Sequence, residues 1–287
     1  MSCRLKKLKI GTLNCTSVYT VQRRRQLYNV FKQINPDIML LQETWLKENN
    51  ILNFPKYSSC RSHANGFHLG TAIFTRNTIV SEQIQIPGVS LIETTAAAIK
   101  LQNNMRLLVV SIYIPHTVSI PELLRDLDAV KNETTEYDAC IIGGDFNARS
   151  LSWDDASTCR GVNLEKWTSE NADLFCHLVP SEPTFPRSGS RLDHFIISNE
   201  LFSSGLSIKV EPSFSTHNSV TLNLELDSTF VPLAQAPPMF RDYRGVDWTG
   251  FRGEMEDELS LLDIEINRNL SPVEIDKSIE SLTTIIQ

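Results

Sequence analysis

The chain of 287 residues contains no apolar run that approaches the roughly 20 residues needed to cross a bilayer. Its beginning continues into a strand-like segment and lacks the apolar core of a secretory signal peptide. The six cysteines form no Cys-x-x-Cys pair and no disulfide-framework spacing, which argues against structural zinc and favours reduced thiols. Internal repeats and low-complexity tracts are absent as well. These absences predict an intracellular protein that has no membrane partner.

Acidic residues are missing from the first part of the chain, where none precedes Asp37 although several arginines and lysines do. The formal net charge is −7, and residues 230–287 carry 11 acidic and 5 basic side chains, which leaves −1 for residues 1–229. A basic start on a nearly neutral domain has two interpretations that charge alone does not separate. It is a solvated helix face beside a charged terminus, or a local patch that faces phosphate.

Hydrophobic periodicity predicts a mixture of strands and helices. Predicted strands are 8–14, 38–41, a hairpin of 96–101 with 107–113, and 220–226; predicted helices are one carrying Leu27, Val30, Phe31 and Ile34, one opened by the capping box Ser119–Glu122, and one near Asn163 with Leu164, Trp167 and Leu174. Some strands are adjacent along the chain and others are separated by helices. This favours an α/β sandwich of two mixed sheets covered by helices over a doubly wound parallel sheet.

Composition changes after residue 229, where Phe230-Val231-Pro232 is followed by the linker-like Ala236-Pro237-Pro238. Beyond it the pattern predicts one amphipathic helix with Phe251, Met255 and Leu262, and a second opened by a capping box at 271–274. The second helix reaches Gln287 without a capping residue, which predicts a fragment of a longer polypeptide. We therefore expect one domain over 1–229 and a linker with helical segments over 230–287.

Residues 141–147 read as a buried strand that ends in two glycines and then presents Asp145 and Asn147 in the same direction. Apolar residues would anchor this strand, and the glycines would let a substrate approach closely. Other polar residues are predicted to lie at strand ends: Asn14, Glu43, Tyr113, Asp193 and His217. Each alone has an ordinary explanation: a solvated strand end, a packed tyrosine, a surface pair or a core histidine. Together they predict a catalytic cleft at the end of the sheets.

The order and spacing of these positions resemble the endonuclease/exonuclease/phosphatase superfamily over essentially all of residues 6–227. The motifs are Leu13-Asn14, Leu41-Gln42-Glu43-Thr44, Ile112-Tyr113-Ile114-Pro115-His116, Gly144-Asp145-Phe146-Asn147, Arg191-Leu192-Asp193-His194 and Ser215-Thr216-His217-Asn218. The resemblance implies a four-layer α/β sandwich of two mixed β-sheets flanked by helices, as in DNase I-like proteins. It also implies hydrolysis of phosphate esters.

A narrower resemblance is to the apurinic-like endonuclease domain of non-LTR (LINE-type) retrotransposons, especially the jockey-like groups. It rests on Gly144–Arg149 followed by Trp153, on Gly70-Thr71-Ala72, on Pro183-Thr184-Phe185, and on Phe240–Arg252 as a stretch that leads toward a reverse transcriptase. It implies a Mg²⁺-dependent endonuclease, with Mn²⁺ as the alternative ion, that nicks double-stranded DNA and leaves a 3′-hydroxyl for target-primed reverse transcription. Implied partners are retrotransposon RNA and a reverse transcriptase region, with action in the nucleus.

Phosphodiester hydrolysis requires an attacking water, neutralised phosphate charge and help for the leaving oxygen. The resemblance assigns these tasks to the strand-end residues. Glu43 would hold the metal ion, and Asn14 would support the ion or its water. Asp145 would orient or deprotonate the water, and Asn147 would donate to the phosphate. His217, oriented by Asp193, would contact the scissile phosphate, and Tyr113 would donate to the phosphate or the leaving oxygen. Expected DNA contacts are Arg149, His116, and Arg187 with Arg191 on a short loop, for which a polar surface hairpin is the alternative.

The chain departs from the superfamily pattern at Thr216, where an aspartate usually precedes the final histidine, and at His116, where asparagine is common. Histidine still donates to phosphate, so the second change is mild. A threonine brings no charge, which predicts weakened ion affinity and reduced or lost activity. Two alternatives to an active endonuclease therefore stand: a catalytically silent DNA-binding module, and a phosphatase or sphingomyelinase-like phosphodiesterase. No membrane-docking segment supports the latter.

Overall fold

The computed structural model describes residues 6–62, 69–202, 205–226 and 232. The strands are β1 (Lys6–Asn14), β2 (Ile38–Gln42), β3 (Tyr57–Arg61), β4 (Ala72–Arg76), β5 (Ser81–Ile84), β6 (Glu93–Lys100), β7 (Arg106–Tyr113), β8 (Ala139–Asp145), β9 (Phe175–Leu178), β10 (Asp193–Ser198), β11 (Ser207–Glu211) and β12 (Ser219–Leu226). The α-helices are α1 (Val21–Ile34), α2 (Ile120–Thr134) and α3 (Cys159–Glu170). Short 3₁₀ turns cover Gln102–Asn104 and Asn199–Leu201.

The strands form two six-stranded mixed sheets, in the orders β11-β12-β1-β2-β4-β3 and β5-β6-β7-β8-β10-β9. Each sheet contains one parallel pair, β1 with β2 and β7 with β8, and its other described pairings are antiparallel. A parallel pair requires a crossover, and helices α1 and α2 supply it. At the carboxyl ends of these strands, Asn14, Tyr113 and Asp145 are the last residues of β1, β7 and β8, and Glu43 directly follows β2.

Three apolar clusters hold these layers together. One lies between the sheets and includes Ile10, Leu40, Val109 and Phe195. A second packs β7 and β8 against α2 and α3, and a third packs α1 on β1, β2 and β4. The helix–sheet–sheet–helix order that results confirms the predicted four-layer α/β sandwich.

Within the described residues the predicted helices and strands are present with one correction, and β3, β4, β5, β9, β10 and β11 are additional strands that the sequence did not predict. Helix α3 begins at Cys159, where the Thr158 side chain accepts a hydrogen bond from the Gly161 amide, so its start lies before Asn163. It ends at Glu170, and Leu174 lies beyond it, 44% exposed, so the assignment of Leu174 to this helix was wrong. Apolar periodicity located the helix but did not fix its ends.

The predicted linker and helical segment over 230–287 lies outside the described residues except for Pro232, which pairs with Leu101 in an isolated bridge. The division into domains 1–229 and 230–287 stays a prediction. Among the described helices, none has the length and apolar character that crossing a membrane requires.

Candidate active site

A cleft with a volume of about 1020 Å³ opens where β1, β2, β7 and β8 end. Five of the predicted catalytic and metal-binding residues line it: Glu43, Tyr113, Asp145, Asn147 and His217. Asn14 and Asp193 lie directly behind them and are fully buried. The strand-end pattern therefore located one cleft, and the two sheets contribute to it jointly.

Tyr113, Asp145 and Asp193 are fixed relative to one another by strand pairing. Tyr113 is the parallel partner of Asp145 at the end of β7 and β8, and Asp193 is the antiparallel partner of Asp145 at the start of β10. Gly144 permits the close approach of β7 to β8, since a Cβ there would lie 1.9 Å from the carbonyl oxygen of Ile112. A Cβ at Gly143 would meet the Phe195 ring at 2.6 Å. These glycines make room for neighbouring strands, which corrects the expectation that they admit substrate.

His217 is held between two carboxylates. Its Nδ1 lies 2.9 Å from Asp193 Oδ2 and its Nε2 lies 3.8 Å from Asp145 Oδ2. The ring also packs against Phe185, with the centroids 4.9 Å apart. The loop that carries Phe185 is tied to Asp193 because the Thr184 hydroxyl accepts the amide of Asp193. The imidazole is thereby oriented across the junction of the two sheets.

Burial and mutual charge set the protonation of this group. Burial raises the pKa of Asp145 to about 7, with the Asp193 carboxylate adding to the rise and His217 opposing it. Burial alone would lower the pKa of His217, but the charge and hydrogen bond of Asp193, followed by Asp145, raise it to about 9. At neutral pH the imidazole therefore carries a proton on each nitrogen, while Asp145 is poised to gain or lose one.

Asn14 joins the two sides of the cleft. Its Nδ2 donates to Glu43 Oε1 and to Asp145 Oδ2, both at 2.9 Å, while its Oδ1 accepts the amide of Thr16 at 3.0 Å. An amide nitrogen that donates to carboxylates has no lone pair for a cation. In this arrangement Asn14 positions two carboxylates, and its place as a metal ligand stays a prediction.

Glu43 is half-buried and stands at the cleft surface. Its backbone is left-handed (φ 47°), as is that of Trp45 (φ 55°), whose indole nitrogen lies 3.3 Å from Glu43 Oε2. Such conformations are unfavourable for residues with a Cβ, and they persist where surrounding contacts fix them. Burial raises the pKa of Tyr113, with the charges of Glu43 and Asp145 adding to the rise, so the hydroxyl stays a donor.

Two sets of atoms are candidates to hold a metal ion. Asp145, Asp193 and His217 place ligand atoms within 4.8 Å of one another. However, a doubly protonated imidazole offers no lone pair, so this trio is suited to proton chemistry. The Glu43 side fits a hard cation better, because this carboxylate lines the cleft, as do Thr16 and Thr216, whose hydroxyls lie 2.9 Å apart.

The predicted DNA-contacting residues divide into two pairs. Arg149 and His116 line the cleft, although Arg149 Nε is paired with Asp154 Oδ2 at 3.1 Å. Arg191 instead donates to the carbonyls of Trp153 and Ser181 outside the cleft lining, and Arg187 is exposed on the same turn. Direct contact of Arg191 with DNA is therefore not supported, because its guanidinium is committed to holding the loop together.

Two arginines of the basic start of the chain, Arg23 and Arg24, have structural partners. Arg23 donates to the carbonyls of Cys15, Thr16, Ser17 and Phe214, and Arg24 donates to those of Val18 and Ile51. These guanidiniums organise the loop after β1. The interpretation of this stretch as a phosphate-facing patch is not supported for these two side chains.

Several cleft residues were missed in the sequence. Phe185 lines the cleft and packs on His217, Arg160 lines it and donates to the His116 carbonyl, and Thr184 lies behind it and accepts the amides of Leu192 and Asp193. Pro183-Thr184-Phe185 was noted as a motif without a role. Arg160 gave no signal, because its partners are backbone carbonyls of distant loops that no side-chain pattern reveals.

Comparison with known proteins agrees with this geometry. The profile of the endonuclease/exonuclease/phosphatase family matches residues 10–217. No curated protein sequence matches the chain. The family match spans the segment that contains all the strand-end residues described above.

Solved structures share the fold at low identity. The endonuclease domain of TRAS1, a telomere-specific non-LTR retrotransposon, is 20% identical, with 77% of this chain and 99% of that chain covered and a TM-score of 0.60. The AP endonuclease LMAP from Leishmania major is 16% identical, with coverage of 77% and 88% and a TM-score of 0.62. The 3′ phosphatase NExo from Neisseria, bound to a product DNA hairpin, is 17% identical, with coverage of 76% and 100% and a TM-score of 0.54.

Proposed function

The chain belongs to the endonuclease/exonuclease/phosphatase family, and on that premise we propose that it is a divalent-metal-dependent DNA endonuclease. It cuts one strand of double-stranded DNA and leaves a 3′-hydroxyl. The observation that carries the proposal is the continuous chain Glu43–Asn14–Asp145–His217–Asp193, which combines a cleft-facing carboxylate with a poised acid–base pair. DNA as substrate is favoured by the names of the structural neighbours, which include a retrotransposon endonuclease and a phosphatase bound to DNA.

Asp145 accepts a proton from the attacking water. With a pKa near 7, this carboxylate accepts a proton at physiological pH, and the Asn14 amide fixes the oxygen Oδ2 that faces the cleft. Asn147 is held next to it by its own amide, which donates to Asp145 Oδ1 at 2.8 Å. The Asn147 side chain at the cleft wall would donate to a phosphate oxygen.

The developing charge on phosphate is met by His217 and Tyr113. The imidazolium of His217, kept protonated by Asp193, donates to a nonbridging oxygen. The neutral Tyr113 hydroxyl donates to the leaving 3′ oxygen or to the phosphate. A Mg²⁺ ion at Glu43, with Mn²⁺ as the alternative, would supply Lewis-acid stabilisation of the same charge.

The biological setting we propose is target-primed reverse transcription by a non-LTR retrotransposon. It is supported by the segment Gly144–Arg149 with Trp153 and by Phe240–Arg252, which resembles the approach to a reverse transcriptase. In this setting the partners are the element's RNA and reverse transcriptase region, and the site of action is the nucleus.

The test is nicking of supercoiled plasmid with Mg²⁺ and with EDTA, for the wild type, Asp145→Ala and Thr216→Asp. We expect Mg²⁺-dependent nicking that Asp145→Ala abolishes, and nicks that a DNA polymerase extends without end repair. Nicking in EDTA, or nicks that are not extended, would refute the proposal.

A second candidate is a DNA-binding module that has lost catalysis, and Thr216 favours it. Its hydroxyl bonds to Thr16 and places no charge beside Glu43. Nicking by Thr216→Asp alone would establish this candidate. DNA binding without turnover by all three proteins would establish it as well.

A further inference from the structure

Arg160 stands out among the cleft residues because it is a buried cation without an assigned task. It is the second residue of α3 and is only 8% exposed, yet it lines the cleft. Burial of a guanidinium is costly unless its donors are satisfied. Among the described residues no carboxylate lies within ion-pair distance of it. Its Nη1 and Nη2 donate to backbone oxygens, whereas its buried Nε has no hydrogen-bond partner among the described residues.

Those oxygens belong to two different loops. Nη2 donates to the carbonyls of Pro115, His116 and Val118 at 3.1, 3.2 and 3.1 Å, all in the loop after β7. Nη1 approaches the carbonyl of Asn147, in the loop after β8, at 3.5 Å. One planar donor group therefore joins the two loops that carry His116 and Asn147.

The second loop also contacts the first through Asn147. This residue has a left-handed backbone (φ 47°), which asparagine adopts more readily than most residues with a Cβ. Its side chain donates to the carbonyl of Ile114 at 3.1 Å, so the two loops are joined at both the side chain and the carbonyl of this residue. Loss of the Arg160 contacts would leave three carbonyls of the first loop and one of the second without this donor.

Helix α3 can place Arg160 there only because Gly161 follows it. A Cβ at Gly161 would lie 1.8 Å from the carbonyl oxygen of Arg149. The helix start is thus packed directly on the backbone of the loop after β8. Gly161 lets α3 approach the loop after β8 closely, and Arg160 supplies hydrogen-bond donors to the carbonyls of both loops.

We propose that Arg160 is a positioning residue that locks the loops after β7 and β8 into one unit and thereby sets Asn147 and His116 for the reaction. This inference rests on the proposed function for its kinetic consequence, but its structural consequence is independent of it. Lysine keeps the charge yet lacks a planar fork, and methionine keeps the apolar stem without either.

The experiment compares Arg160→Lys, Arg160→Met and Arg76→Met by hydrogen–deuterium exchange and by plasmid nicking. Arg76 is the matched control, because it donates to the carbonyls of Asn35 and Pro36 at the opposite end of β2 from Glu43. Exchange reports on the amides of Ile114 and Asn147, which bond to the Asp145 carbonyl and carboxylate. Thermal melting checks that each variant folds, and Arg160→Lys serves if Arg160→Met does not.

We expect faster exchange in peptides covering 113–118 and 145–149 for both Arg160 variants, with the methionine variant the faster, and no change there for Arg76→Met. We also expect kcat to fall by about 10- to 100-fold in Arg160→Met with a smaller change in KM, and less in Arg160→Lys. Unchanged exchange in both loops, or the same loss of kcat in Arg76→Met, would overturn the proposal. If the wild type does not nick DNA but the two loops still exchange faster in the Arg160 variants, the positioning role of Arg160 is supported and the endonuclease assignment fails.

Discussion

The two sides of the cleft are built differently. On the second-sheet side, Tyr113, Asp145 and Asp193 are strand residues held in register by ladder pairing. On the first-sheet side, Glu43 follows a strand, and the loops there contain four non-glycine residues with positive φ: Thr16, Ser17, Glu43 and Trp45. On the second-sheet side these three residues are therefore buried and fixed by strand pairing, whereas Glu43 is placed by a loop.

Their chemistry differs in the same way. Buried carboxylates around His217 perturb proton affinities, whereas half-buried Glu43 faces the cleft beside neutral hydroxyls. This teaches that acid–base work requires fixed, desolvated groups, whereas a hydrated ion requires an accessible oxygen. Asn14 and His217 both contact Asp145 from the first-sheet side. The variants below separate the two sides.

The largest effect is expected from Asp145→Asn, which removes the proton acceptor while keeping its shape. Nicking of supercoiled plasmid should fall by on the order of 10³-fold. The folded pKa of about 7 lies above the ordinary 3.8, so this carboxyl destabilises the fold progressively as pH rises from about 4 through 7. The melting temperature at pH 8 should therefore rise in the variant. A fall in both activity and melting temperature would point to misfolding.

Asp193→Asn should have the next largest effect, about 10²-fold on kcat at pH 8. The raised pKa of His217 contributes stability below pH 6.5 that is lost as pH rises through about 9. Without the Asp193 charge, burial lowers that pKa, so the alkaline limb of the pH–rate profile should move to lower pH. Asp173→Asn, at an exposed site between α3 and β9, is the control. An alkaline limb that does not move would remove His217 as the protonated group.

Thr216→Asp should change the first-sheet side alone. A carboxylate beside Glu43 should lower the Mg²⁺ concentration for half-maximal nicking by roughly tenfold. Thr216→Asn tests hydrogen bonding without charge and should leave that concentration unchanged. An equal effect of both substitutions would show that charge at this position is not the determinant.

The smallest effect is expected from Gly161→Ala, because it acts through the packing of α3. The added Cβ clashes with the carbonyl of Arg149, which should destabilise the protein by about 1–3 kcal/mol and lower kcat slightly. Chemical denaturation measures the loss, with Ser169→Ala on the exposed face of the same helix as the control. Equal stability of the two variants would contradict the close contact.

Sequence reasoning found the three described α-helices, six of the twelve described strands and the strand-end residues, because apolar periodicity and polar strand ends are local signals. It could not find the bridge of Asn14 between Glu43 and Asp145, which exists only once the two sheets are stacked. It also assigned Arg191 to DNA, although the side chain is bound to the carbonyls of Trp153 and Ser181. The sequence alone does not distinguish an arginine that binds backbone carbonyls from one that binds phosphate.

The division of labour between the two sides is tested most directly by Mn²⁺ binding, followed by electron paramagnetic resonance of the free ion. Wild type, Glu43→Gln and Asp145→Asn would be titrated without DNA. The account predicts that Glu43→Gln weakens binding by about tenfold or more, whereas Asp145→Asn leaves it unchanged. Loss of binding in Asp145→Asn with retention in Glu43→Gln would place the ion among Asp145, Asp193 and His217 and contradict the account.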